Sequence, residues 1–377
     1  MQTDKPYDAV IVGGGLAGLI CANLLSKSGY KVLVAEKKNY PFHKVCGEYV
    51  SNEVLGFLRS LGFDPFAHGA SSINKLRISS PKGKNISCTL KMGGFGLSRY
   101  TMDHALAELA TKNGATLLSG VQVNNIKFLH NHFDLELSSS HTIQSTLVIG
   151  SYGKRDKLDK KLDRGFIAER SPYMAVKYHL RTGYPPDEVG LDNFPGGYCG
   201  IVKIEEDKYN LCYLYKRDPS AKFNSVFELE EKVLYQNPLL KRIFMEAGFI
   251  REKPEVISEI SFEPKQQIED HVLMCGDSAG LITPLCGNGM AMAIRAAKML
   301  SELIIRSDIR KHPHNRKLLE ESWKQLWSSE FGTRLKWGRV IQSAFGKPAV
   351  TGIALHTIHA VPPLERYLIS KTHGQPL

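Results

Sequence analysis

The residues best equipped for chemistry lie in two glycine-rich segments far apart in the chain. Gly13, Gly15 and Gly18 fall at the spacing G-x-G-x-x-G, between the apolar run Asp8 to Val12 and an Ala- and Leu-rich stretch from Leu16 to Ser28. Glycines so placed allow a tight turn, a close approach of backbone to a pyrophosphate and close contact of helix with strand. The N–H groups at the start of the helix then face the anion. Glu36 ends the run Lys31 to Glu36, where a carboxylate accepts a hydrogen bond from an adenosine ribose 2′-hydroxyl. An acid there favours FAD or NAD over NADP. Downstream, Gly276-Asp277 closes the apolar run that begins at His271, and Gly287-Asn288-Gly289 opens a helical stretch. The carboxylate suits a second ribose or a ribityl chain, and the N–H groups suit an electron-rich ring oxygen.

Such groups need a scaffold of alternating strands and helices. The pattern predicts strands over Asp8 to Val12 and Lys31 to Glu36 flanking a helix, then a helix over Ser51 to Leu61. Leu76 to Ile78 and Ile86 to Leu90 read as a hairpin around Pro81-Lys82-Gly83. A helix over Thr101 to Lys112 and short strands up to Gly150 complete this part. Beyond Arg155 the texture is antiparallel β, with strands at Met174 to Leu180, Gly197 to Ile204 and Tyr209 to Tyr215, then helices at Val226 to Tyr235 and Leu239 to Ala247. A strand from His271, a helix from Gly287 to Ile305 and a helical tail from Arg316 follow. Trp323 and Trp327, four apart, share a helix face and read as core.

A chain of 377 residues is too long for one simple core. No apolar run approaches the ~18 residues of a membrane-spanning helix, and the polar start passes directly into a strand, so a cytoplasmic location is expected. The seven cysteines show no C-x-x-C pair and no zinc spacing, which predicts reduced thiols and no metal. Net charge is +11, concentrated late at Arg306, Arg310, Lys311, Arg316, Lys317, Lys324, Arg334, Lys336 and Arg339. This basic C-terminal region is either a solvated helical face or a peripheral contact with anionic membrane. No motif accompanies it that would read nucleic acid.

The downstream motif resembles G-D-A-A-x-x-x-x-P-x-x-G-x-G-x of the para-hydroxybenzoate hydroxylase superfamily of FAD-dependent oxidoreductases, through Gly276, Asp277, Ala279, Pro284, Gly287, Gly289 and Met290. Val45-Cys46-Gly47-Glu48 is similar to the C-G-E element of its geranylgeranyl reductase branch. The resemblance implies an α/β fold: a glutathione-reductase-type, Rossmann-like FAD-binding domain from residues 1–75, 95–155 and 265–305. An antiparallel substrate domain, 76–94 and 156–264, is inserted in it, and 306–377 form a helical C-terminal region. It implies FAD contacts from the glycine loop with Leu16 and Ala17, from Glu36, Lys37, Cys46, Gly47, Arg99 and Val123, and from Gly276, Asp277, Pro284, Gly287, Asn288, Gly289 and Met290. Arg99 could instead only pair with Asp103.

By the same resemblance Cys46 is the catalytic residue, its thiol giving a proton to one carbon of a double bond while reduced flavin gives hydride to the other. The expected substrate is an isoprenoid or other lipophilic small molecule. Hydroxylation of an aromatic or polyketide-like ring is the alternative, and a non-catalytic flavin, electron or lipid carrier a third reading. Tyr198 and Cys199, in the strand Gly197 to Ile204, are candidate substrate contacts or plain sheet residues. The family's G-A-D-G-x-x-S departs here to Gly150-Ser-Tyr-Gly-Lys-Arg-Asp156, with Tyr152 in place of the aspartate. That leaves the electron donor open between NAD(P)H and a reduced protein carrier.

Overall fold

The computed structural model describes residues 6–168, 170–283, 288–344 and 375–377, with the side chains of 340–344 excepted. The chain begins β1 (Tyr7–Val12), α1 (Leu16–Lys27), β2 (Val32–Glu36), β3 (Tyr49–Ser51) and α2 (Leu55–Leu61). It continues through β4 (Ser71–Ser79), β5 (Asn85–Gly96), α3 (Arg99–Lys112), β6 (Thr116–Ser119), β7 (Val123–Leu129), β8 (His132–Leu137) and β9 (Thr142–Gly150). Next come α4 (Lys157–Lys161), β10 (Tyr173–Arg181), β11 (Glu188–Phe194), β12 (Gly197–Lys203) and β13 (Tyr209–Lys216). Then follow α5 (Val226–Lys232), α6 (Pro238–Glu246), β14 (Gly248–Phe249), β15 (Glu255–Ser258), β16 (Ile268–Glu269), β17 (Val272–Met274), α7 (Gly289–Ser307) and α8 (Arg316–Ala344).

The first sheet has the order β16-β17-β9-β1-β2-β6, with the β7–β8 hairpin attached to β9. Strands β17, β9, β1, β2 and β6 run parallel. Helices cover it, so β2 is buried at every position and its sequence is continuously apolar up to Glu36. Register brings the carboxyl ends together: Val12 opposes Ala35 and Gly150, and Gly150 opposes Met274. The glycine loop, Glu36, Ser151 and the Gly276 turn therefore share one edge, where ligands of open α/β sheets bind. Helix α1 can lie tightly on β1 because Gly18 has no Cβ; one would stand 2.1 Å from Gly13 O. On the far side, fully buried Trp323 of α8 donates Nε1–H to Met274 O at 3.0 Å. Trp327 packs edge-on against it, centroids 5.7 Å apart.

The second sheet has the order β14-β10-β13-β12-β11-β4-β5-β3, with β15 also on β10. It takes in β3 and the first residues of β4, which the sequence division left in the nucleotide-binding part. Nor is it wholly antiparallel, because β11 and β4 pair in parallel, Glu188 to Asp192 along Lys75 to Ser79. Strand β11 has no strand-like signal; Gly190, Asp192 and Asn193 are poor strand formers. Buried pairing specifies it instead. Asp192 accepts from Arg77 Nη2 at 2.7 Å and Ser79 Oγ at 2.6 Å, and Asn193 Nδ2 donates to Ser79 O at 2.7 Å. Helices α5 and α6 cover the outer face of this sheet with an apolar core that includes Tyr178, Phe194 and Tyr213. The inner face looks toward the first sheet. Among the described residues no helix is long and apolar enough to cross a membrane, and no cluster of His, Cys, Asp or Glu is arranged to hold a metal.

Candidate functional site

Between the two sheets lies a cavity of about 830 Å³. Its first end is built from the glycine loop. Gly13 turns at φ +100°, a conformation open to glycine, and its backbone lies so close to Ser151 that an added Cβ would stand 2.6 Å from Ser151 O. Ser151 Oγ locks the turn by donating to Gly13 O at 2.7 Å. Helix α1 starts at Leu16 with Gly15 as its N-cap and no side chain capping it, which leaves its first N–H groups to the cavity. Glu36, buried, accepts Gly14 N–H at 2.9 Å and Lys38 N–H at 3.0 Å while lining the cavity. Tyr40 donates its hydroxyl to Gly14 O.

Two cations converge on the same turn. A Cβ on Gly15 would lie 3.3 Å from Lys44 Nζ and 3.5 Å from Arg99 Nη2. Arg99 pairs bidentately with Asp103 at 2.7 Å and 2.7 Å, and Lys44 Nζ is 3.5 Å from Asp103. Burial pulls the Lys44 ammonium below its ordinary range, a pull that Asp103 opposes. Arg99 thus both pairs with Asp103 and lines the cavity. A helix start with two basic groups around a glycine that leaves the space open suits a pyrophosphate. The residues present fit the adenosine diphosphate part of FAD.

The other predicted cofactor residues separate into groups. Val123, buried at the start of β7, lines the cavity near Glu36, as do Leu16 and Ala17. Lys37 lines it too, but its ammonium is spent on Asp156 at 2.6 Å. Gly276 turns at φ +63° against Ala17, and Asp277, Gly289 and Met290 reach the same space. Asn288 is fully buried at the N-cap of α7. Pro284 and Gly287 lie outside the described residues. Two buried cations that the sequence does not flag hold the Gly276–Ser278 turn in place. Lys265 Nζ donates to Asp277 O at 2.9 Å and Lys154 O at 2.7 Å, and Arg164 Nη2 donates to Ser278 O at 2.8 Å. Burial lowers the Lys265 ammonium to about 8 despite Asp277 nearby. Tyr152, which replaces the family aspartate, lines the cavity and turns its hydroxyl to Met274 Sδ at 3.5 Å.

Cys46 and Gly47 stand on the loop between β2 and β3 and line the cavity, with Cys46 only partly buried. Beyond them the inner face of the second sheet presents an apolar wall, with Leu76, Ile78, Ile86 and Leu90 on β4 and β5 and Val189 and Leu191 on β11. The strand alternation that produced it is visible in the sequence as L-R-I and I-S-C-T-L. Tyr198 lies on this wall, buried. Cys199 does not: as the next residue of a strand it points the opposite way, 1% exposed, into the core under α5 and α6. Cys199 is therefore a core residue of the second sheet and does not contact the cavity where substrate contacts were expected. Cys212 of β13 also lines the cavity, as do Cys88 and Cys275; burial, then the neighbouring Cys46, pushes the Cys212 thiol up to about 12.

Residues 11–63 match the model of an NAD(P)-binding Rossmann-like domain. Conditioned medium factor receptor 1 of Dictyostelium discoideum is 23% identical over 362 residues, 86% of this chain and 68% of that protein. Digeranylgeranylglycerophospholipid reductase of Methanosarcina acetivorans is 24% identical over 358 residues, 90% of this chain and 84% of its own length. Among solved structures, a flavin-dependent brominase superposes with a TM-score of 0.80 at 17% identity, covering 98% of this chain and 93% of that one. A geranylgeranyl bacteriochlorophyll reductase-like protein of Thermoplasma acidophilum gives 0.74 at 20% identity, covering 91% and 88%. The chain accordingly shares the fold of a flavin-dependent brominase and of a geranylgeranyl reductase-like protein, and its sequence relatives include digeranylgeranylglycerophospholipid reductases.

Proposed function

We propose that the protein reduces a carbon–carbon double bond of an isoprenoid or other lipidic substrate. The observation that carries this reading is that one cavity is lined by the apolar wall of the second sheet, by Cys46 and by both glycine-rich segments. Apolar surface of this kind seats a hydrocarbon chain by removing it from water, at roughly 25 cal/mol per Å² of apolar area. Bound and reduced, FAD supplies hydride to one carbon of the double bond. The Cys46 thiol donates a proton to the adjacent carbon, so that two C–H bonds form as one π bond is lost. Glu36, the glycine loop and the start of α1 would hold the adenosine diphosphate end of FAD, and Gly276-Asp277 with the start of α7 would hold the opposite end. The sheet wall excludes water from the reacting carbons.

The related digeranylgeranylglycerophospholipid reductases support the substrate class. Tyr152 in place of an aspartate supports a reduced protein carrier over NAD(P)H as electron donor. Likeness of fold to a flavin-dependent brominase keeps oxygen-dependent chemistry on an aromatic ring as the second reading. The test is anaerobic: protein with chemically reduced flavin is mixed with digeranylgeranylglycerophospholipid in detergent micelles. Reoxidation without oxygen, with product gaining two hydrogens, is the expected result. Reoxidation that waits for oxygen and accelerates with aromatic compounds would replace this reading with the second.

A further inference from the structure

We infer that Lys177, His179 and Asn210, all on the second sheet, are positioning residues that fix the Cys46 loop from the substrate side of the cavity; this rests on the reductase reading just given. The loop belongs to the nucleotide-binding side by sequence, but its anchors come from across the cavity. Lys177 Nζ of β10 donates to Lys44 O at 3.0 Å and to Glu48 Oε1 at 2.5 Å. His179, two residues along the same face of β10, meets Glu48 Oε2 through Nε2 at 2.7 Å. Asn210 Nδ2 of β13 donates to Cys46 O at 3.1 Å. Carbonyls two residues apart and the next acidic side chain are thus held by three residues of two paired strands.

Glu48 is the hub. It is fully buried and sits at φ 55°, a conformation that non-glycine residues seldom adopt. Its carboxylate also accepts Arg99 N–H at 2.8 Å, and its carbonyl accepts Leu97 N–H at 3.1 Å. A buried carboxylate with three charge-assisted or backbone donors has one arrangement available, and a loop that ends on it inherits that rigidity. Burial works to raise this acid, but Lys177 and His179 outweigh it and hold the carboxyl at about 2. Arg99 N–H joins the cofactor-binding helix α3 to the same hub. The loop carrying the thiol is therefore held from the sheet that also carries the substrate wall, and Asn210 shares one face of β13 with the cavity-lining Cys212.

The test uses the whole flavin-loaded protein and two readouts. Asn210→Leu keeps the side chain's volume and removes the donor to Cys46 O. Flavin content should stay at the parent value, the melting temperature should fall by only a few degrees, and ferricyanide should reoxidise the reduced flavin at the parent rate, since that oxidant needs no thiol. Anaerobic single-turnover reoxidation by digeranylgeranylglycerophospholipid should fall at least tenfold. Independently of any turnover, the rate at which iodoacetamide alkylates Cys46, read by mass spectrometry in a Cys212→Ala background, should change at least threefold. If Asn210→Leu loses flavin, Asn210→Ala removes the donor with a smaller side chain and is read in the same way. Parent-like alkylation and parent-like single turnover would overturn the positioning role. Failure of the parent protein itself to react with the lipid would sink the reductase reading and leave the alkylation result to decide this one.

Discussion

At the scale of single residues, the site depends on positions where a side chain must be absent as much as on those where one acts. Gly15→Val would place two methyl groups where Lys44 and Arg99 face the helix start. Flavin content after purification should drop by at least tenfold while the fold persists by circular dichroism. Asp277→Ala should also lower flavin content, because the carboxylate lining the cavity is lost from a turn held by Lys265. Full flavin in both variants would remove the cofactor site from this cavity. Cys46→Ser separates binding from chemistry: flavin should remain and lipid reduction should fall about 10²-fold or more, the range in which a positioned proton donor contributes. The glycine spacing, Glu36 and Gly276-Asp277 were legible in the sequence because each is local, a turn or a strand end. Lys44, Lys177, Asn210 and Lys265 were not, because a lone lysine or asparagine has meaning only through a partner, and the partners of Lys177 and Lys265 lie 133 and 111 residues away.

At the scale of elements, the outer helices of the second sheet are attached through a buried acid, and this gives a pH signature. Glu230 of α5 is 2% exposed and accepts from Tyr178 at 2.8 Å and Tyr213 at 2.9 Å. Burial raises its carboxyl to about 7, from 4.5, against the lowering effect of the two hydroxyls. Between those values the folded chain keeps a proton that the unfolded chain releases. Its contribution is therefore complete below about 4.5 and is lost as pH rises through about 7, amounting to about 3 kcal/mol. Glu230→Gln keeps the hydrogen-bonding shape without the charge. In urea melts it should match the parent near pH 5 and exceed it by about 2–3 kcal/mol near pH 8. Equal stability at both pH values would mean that the acid ionises freely. Glu48 has the opposite sign: its support is present above 4.5 and is lost as pH falls toward about 2. Most strands and helices could be read from periodicity, whereas β11 could not, since its register is set by Arg77 and Ser79 on a strand over a hundred residues earlier.

At the scale of the whole molecule, much of the positive charge that the sequence concentrates near the C-terminus is already paired within the chain. Arg316 is buried and donates to Asn131 and to Thr146 O at 2.8 Å, which staples α8 to the β7–β9 region. Arg310 lies 3.6 Å above the Tyr30 ring and pairs with Asp308, Lys311 pairs with Asp308 as well, and Arg334 pairs with Glu330. Charges so occupied add little local field for a lipid surface. Lys317 and Lys324, seven residues apart on the exposed side of α8, still project outward beside exposed Leu318. Membrane contact, if the protein makes it to collect a lipidic substrate, should therefore depend on these lysines and on the net charge of +11. Vesicles rich in anionic lipid should retain the protein in flotation at 20 mM salt and release most of it at several hundred millimolar, where the screening length has shrunk to a few ångströms. Lys317→Glu with Lys324→Glu should abolish flotation at low salt and leave flavin content and lipid reduction in detergent micelles intact. Arg316→Ala, by contrast, should cost about 3 kcal/mol or more of stability by removing buried hydrogen bonds from a charged group. If the double lysine variant still floats, attraction comes from elsewhere on the surface, and the basic tail acts only as structure.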